Sequence, residues 1–164
     1  MPLILRKIRK SKWLIPPWLS NGDMQADALV DLSTKNNELS VWYITDEKSN
    51  FERIISALAA HRDHLSNFDY VLFDKKFLDE NNIKIRKTKG ISLDEEVNEL
   101  WHFDLYELSA LKIVNLAKTI LDNGEIKRIQ ERDVGRLIRK AITSGNINFE
   151  KLNENIKEKI EKHF

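Results

Sequence analysis

Three residues in the first third of the chain are of the types that cut phosphodiesters: Asp27, Asp46 and Lys48. Two carboxylates that meet in space can share a Mg²⁺ ion, whose oxygen ligands sit about 2.0–2.1 Å away. A lysine beside them can orient or activate a water. The spacing requires an element that folds Asp27 back onto Asp46. The stretch Ala28–Ile44, ALVDLSTKNNELSVWYI, predicts one: Ala28–Leu32 and Leu39–Ile44 as strands, joined by the polar Ser33–Glu38. Antiparallel pairing then sets Asp27 opposite about Ile44, beside Thr45-Asp46-Glu47-Lys48. The acids also have a plainer use, because carboxylates near a helix N-terminus are stabilised by its dipole.

In pattern this stretch resembles the active-site hairpin of the restriction-endonuclease-like nucleases, in which an aspartate is followed, after a variable gap, by Asp or Glu, one residue, and Lys. Asp27, Asp46 and Lys48 take those places here, with Glu47 intervening, and the likeness spans roughly residues 20–75. It implies a Mg-dependent nuclease, or the relic of one, with Asp27 and Asp46 as metal ligands. The sequence departs from the family in setting Asp46 and Lys48 after the strand rather than on it.

Other residues offer binding more than catalysis. Residues 1–13 carry five bases (Arg6, Lys7, Arg9, Lys10, Lys12) and no acid, a cluster that with Trp13 can grip phosphates. Pro16-Pro17 and Asn21-Gly22 make residues 11–26 irregular, yet Trp13, Leu14, Ile15, Trp18 and Leu19 lie in that segment. Such groups either lie flat over a core or form an aromatic surface for a partner. His61 and His64 have an i, i+3 spacing that suits a metal but lacks a third ligand, and a helix C-terminus also favours histidine. His102, beside Trp101, reads as a packing residue. The absence of cysteine excludes disulfides, thiolate zinc sites and a cysteine nucleophile. No phosphate-cradling glycine loop, nucleophile elbow or zincin motif occurs.

The elements that must position these groups follow from periodicity. Leu3–Ile8 reads as a strand near a sheet edge, Phe68–Phe73 as a buried strand and Ile83–Arg86 as a third. Ser49-x-x-Glu52 and Ser92-x-x-Glu95 have the form of capping boxes. The first opens a helix through Phe51, Ile54, Ile55 and Leu58. The second opens a long helical pattern from Val97 to Leu121, with a possible break near His102–Asp104 and a stop at Asn123-Gly124. A further helix carries Val134, Leu137, Ile138, Ala141 and Ile142. The last, capped by Asn148, has a narrow stripe of Phe149, Leu152, Ile156 and Ile160, suited to docking in cis or onto a partner.

The expectation is an α/β (α+β) fold: a small mixed sheet built on a central β-hairpin, flanked by helices, with a helical C-terminal third. Residues 1–123 form the core domain and 124–164 a helical segment packed on it or on a partner. With 32% charged residues, no long apolar run and bases following rather than preceding the first apolar residues, a cytoplasmic protein is expected, with no membrane partner. The expected function is a protein-protein interaction or regulatory module (antitoxin-like, immunity-like or a defence accessory) that needs no cofactor. It would use Trp13, Trp18, Arg6, Lys7, Arg9, Lys10, Phe149, Leu152, Ile156 and Ile160 to bind a protein partner or a second copy. The nuclease, with Mg, and a nucleic-acid-binding accessory are the alternatives; nucleic acid is not the favoured partner.

Overall fold

The computed structural model describes residues 1–164. Six strands form one sheet: β1 (Leu3–Lys7), β2 (Leu39–Ile44), β3 (Phe68–Asp74), β4 (Lys84–Lys87), β5 (His102–Tyr106) and β6 (Glu125–Ile129). Their order across the sheet is β4-β5-β2-β1-β3-β6, and every neighbouring pair is antiparallel. The six α-helices are α1 (Phe51–Ala60), α2 (Lys76–Glu80), α3 (Glu95–Leu100), α4 (Ala110–Asn123), α5 (Glu131–Thr143) and α6 (Glu154–His163).

Alternation along the central strands divides the interior in two. Leu5, Ile44, Phe68, Tyr70 and Leu72 turn to one face, under α1, α3, α5 and α6. Ile4, Ile8, Val41, Val71 and Phe73 turn to the other, under α2, α4 and two 3-10 segments, Lys10–Trp13 and Ala26–Leu32. A strand covered on both faces needs apolar residues without alternation, which is why Phe68–Phe73 is buried at every position. β1 is likewise an inner strand, paired with β2 and β3, and not the edge strand its bases suggest. The true edges, β4 (KIRK) and β6 (EIKRI), carry the charge that keeps an exposed edge from pairing with another sheet.

The α/β class and the helix-rich C-terminal part are as expected, but the central hairpin is absent. Ala26–Leu32 is a 3-10 helix that buries Ala28 and Leu32, four residues apart, and leaves Val30 exposed. That is a helical period, and Asp and Ala are poor strand formers. Within Ser33–Glu38, Asn36 and Asn37 both take positive φ (53° and 59°) and close a tight turn on the Lys35–Glu38 bridge.

Neither capping box forms. Asn50 stands at the start of α1 and ties the preceding loop instead, accepting from the Thr45 amide and donating to the Tyr43 carbonyl. Asp94 caps α3. The long helical pattern is α3, then β5, then α4, so the break near His102 is a whole strand. Asn148 caps a single 3-10 turn (Phe149–Lys151), and α6 restarts at a second cap, Asn153. From residue 125 onward the chain supplies edge strand β6 as well as helices, and α5 and α6 pack in the same core as α1. No helix is long and apolar enough to cross a membrane.

Candidate functional site

The pairing that was to bring Asp27, Asp46 and Lys48 together does not exist. Ile44 lies opposite Leu3 of β1, and Asp27 sits in the first turn of a 3-10 helix. Asp46, in the loop after β2, is paired with the amino group of Met1 at 3.1 Å. Lys48 takes a left-handed turn conformation (φ 54°) in that loop. No group of three or more His, Asp or Glu side chains is arranged to surround a metal ion.

Trp13 is core, not contact surface. It is 5% exposed, and its indole Nε1 donates to Asp31 Oδ2 at 2.9 Å. The same oxygen accepts from the Arg9 amide at 2.8 Å, and Lys12 approaches the other at 3.7 Å. Asp31 therefore holds the end of β1, the 3-10 turn after it and the Ala26–Leu32 helix in one piece. Beyond that anchor the chain turns outward. Leu14, Ile15 and Trp18 are 57%, 61% and 73% exposed. They are held in place nonetheless: Gln25 Nε2 donates to the carbonyls of Leu14 (2.8 Å) and Ser11 (3.2 Å), and the Leu19 amide donates to the Pro16 carbonyl (3.0 Å).

The terminal stripe is also core. Leu152, Ile156 and Ile160 are buried among residues of α1 and α5, and Phe149 packs against them. Docking in cis removes Leu152, Ile156 and Ile160 from any partner surface, and covers Phe149 in part.

The bases at the end of β1 divide by role. Arg6 is spent on structure: it donates to the carbonyls of Asp31 (3.2 and 3.0 Å) and Ser40 (2.8 Å). Burial pulls its pKa down to about 10 against the pull of Asp31. Lys10 contributes its backbone amide, which donates to Asp69 Oδ2 at 2.8 Å. Lys7 and Arg9 line an open cleft together with His61, His64 and His102. His102 is buried as expected, with Nδ1 2.9 Å from Thr88 Oγ1 and its ring against Trp42. Sequence reasoning passed over Arg62, Trp42 and Asp69, which belong to the same region.

Asp69 closes that region electrostatically. Arg128 grips it with two bonds of 2.7 and 2.9 Å, and these, with the Lys10 amide, hold its carboxyl below the usual aspartate range although burial opposes them. A depressed folded-state pKa stabilises the fold above the unfolded value of about 3.9, and that stability is lost as pH falls through the folded value. Asp69→Asn is accordingly expected to destabilise the protein at pH 7 and to lose less on acidification. Urea unfolding at neutral pH and near pH 3 should show the gap between wild type and variant narrowing in acid.

No protein-family model, curated protein or solved structure matches this chain. Its function therefore has to be argued from the surface the fold presents.

Proposed function

We propose that this protein is a non-enzymatic binding module that docks onto a partner protein through the loop Leu14–Trp18. One observation carries the reading: three large apolar side chains stand in solvent on a segment whose backbone is fixed from below. Exposed apolar clusters of this kind mark interaction sites. A loop already rigid pays little ordering entropy on binding, which leaves more of its interaction energy as affinity. A tryptophan at the centre of such a patch is the commonest energetic anchor.

The surroundings describe the partner. A groove of about 630 Å³ adjoins the loop and is lined by Leu14, Tyr70 and Ile126 with Lys10, Lys127 and Arg128. Its complement is an apolar knob with acidic residues around it.

Affinity capture from the native host, with light scattering to separate a foreign partner from a second copy, tests the proposal. The double variant Ile15→Asp/Trp18→Ala should lose the complex that the wild type forms. Its melting temperature should hardly move, because exposed substitutions change stability by about 0.5 kcal/mol or less. Identical masses and identical captured proteins for the two would overturn the reading.

A further inference from the structure

A cleft of about 820 Å³ opens on the α1 face of the sheet, and it shares no residue with the groove beside Leu14. Lys7 of β1, Trp42 of β2 and His102 of β5 contribute to it from the sheet; Leu58, Arg62 and His64 come from the end of α1 and the loop after it. Ile91, 82% exposed, is also on its lining.

The charge of this cleft is unbalanced. No carboxylate lies within 4.0 Å of the charged side-chain nitrogens of Lys7, Arg9 or Arg62. Two acids nearby, buried Asp69 and part-buried Asp31, are already engaged, Asp31 by Trp13, Lys12 and the Arg9 amide, and Asp69 by Arg128. Asp63 is the one other acid on the lining. Burial lowers the pKa of Lys7, and repulsion from Arg62, Arg6 and Arg9 lowers it further. Like charges held this close in a folded protein raise its energy, and an anion between them relieves the repulsion.

Arg62 shows the same incompleteness in its hydrogen bonds. Its guanidinium lies 4.5 Å above the Phe68 ring and donates through Nη1 to Ser66 Oγ and to the Asn67 carbonyl. Its Nε is buried with no partner. Guanidinium forks suit the oxygens of a phosphate. The cleft is far larger than one phosphate and falls within the roughly 300–1,000 Å³ of small-ligand sites. Trp42, Leu58 and Ile91 give it an apolar side that a free inorganic ion would leave uncovered.

We propose that this cleft binds a phosphate-bearing ligand of nucleotide size, with Lys7, Arg9 and Arg62 around the phosphate and Trp42 beside the organic part. The protein-docking loop is not needed for it, so Ile15→Asp/Trp18→Ala should leave binding in the cleft unchanged.

Titration calorimetry at low salt, with AMP, adenosine, inorganic phosphate and a single-stranded oligonucleotide as probes, decides the matter. AMP is expected to bind at least about tenfold more tightly than adenosine, the difference a single charge-assisted hydrogen bond supplies, and more tightly than phosphate alone. Lys7→Gln and Arg9→Gln, neither of which removes a side-chain hydrogen bond from the fold, should each weaken AMP several-fold. Arg62→Lys tests the fork, with thermal melting to confirm that the variant is folded. Equal affinity for AMP and adenosine, or for AMP and phosphate, overturns the proposal. So does tight, steeply salt-dependent binding of the strand with none of AMP, which would make the cleft part of a nucleic-acid track.

Discussion

Asp94→Ala is expected to cost about 3 kcal/mol and to lower the melting temperature by roughly 6–12 °C, at about 2–4 °C per kcal/mol for a chain of this size. The carboxylate is 2% exposed and serves two purposes at once. It caps α3, accepting from the amides of Glu96 (3.0 Å) and Val97 (3.3 Å). It also receives Arg53 from α1 through a two-pronged bond, Nε at 2.6 Å and Nη2 at 3.1 Å. Losing a cap typically costs about 1 kcal/mol. Stripping a buried charge of its partner costs more, about 3–5 kcal/mol where both groups are fully enclosed.

Arg53 is a quarter exposed, and its Nη1 retains Glu96 at 2.8 Å, so the ion-pair share falls below that range. Two further variants separate the shares. Asp94→Asn keeps an oxygen for the amides and loses the charge, and should fall between wild type and alanine. Glu96→Ala, which removes an exposed carboxylate, should cost less than about 1 kcal/mol. Urea unfolding of the three gives the order directly. An asparagine variant as unstable as alanine would mean that the cap contributes nothing.

Those two bonds also show where the sequence was legible and where it was not. Ser92-x-x-Glu95 signalled a helix start in the right place, but it named the wrong cap. Asp94 is two residues closer to the first helical turn and lies opposite an arginine from forty-one positions earlier, which no local motif encodes. β3 and α5 were readable because each follows one rule throughout: unbroken burial for the strand, and an i, i+3, i+4 stripe for the helix. β5 was not. Trp101, Leu105 and Leu108 are spaced as a helix face would be, and a short apolar run fits either period until its neighbours are known. β6 offers only Ile126 and Ile129 among charges, as an edge strand can.

The candidate sites divide in the same way. Lys7 and Arg9 were visible as bases without acids to balance them. Arg62 was not, because an arginine between two histidines at a helix end reads as a response to the helix dipole. Its significance depends on Asp69 being taken by Arg128, a pairing across the sheet between β3 and β6. The nuclease-like triad failed for the converse reason. Its residue types were right, but their convergence rested on a strand that Ala28 and Leu32 make helical.

The terminal helix gives the second large effect, and it separates a core from a docking face. Ile160→Ala is expected to destabilise the isolated protein by about 2–5 kcal/mol, the usual range for emptying a closed site of that size. Ile160 is fully buried in the core that also holds Ile156, Val134 and Ile138. A stripe reserved for a partner would behave oppositely: truncation would leave the free protein unchanged and weaken only the complex. Lys162→Ala, on the exposed side of the same helix, is the control and should stay within about 0.5 kcal/mol. The end of the helix supplies a further check. Phe164 packs its ring over Gly135 of α5, where an added Cβ would lie 2.4 Å from the ring carbon Cζ. Gly135→Ala must therefore lift Phe164 away, loosening the last turn that Ile160 anchors. Because both changes act on one packed interface, the double variant should lose less than the sum of the two single losses. Strict additivity, measured by urea unfolding, would show that Phe164 does not hold α6 against α5.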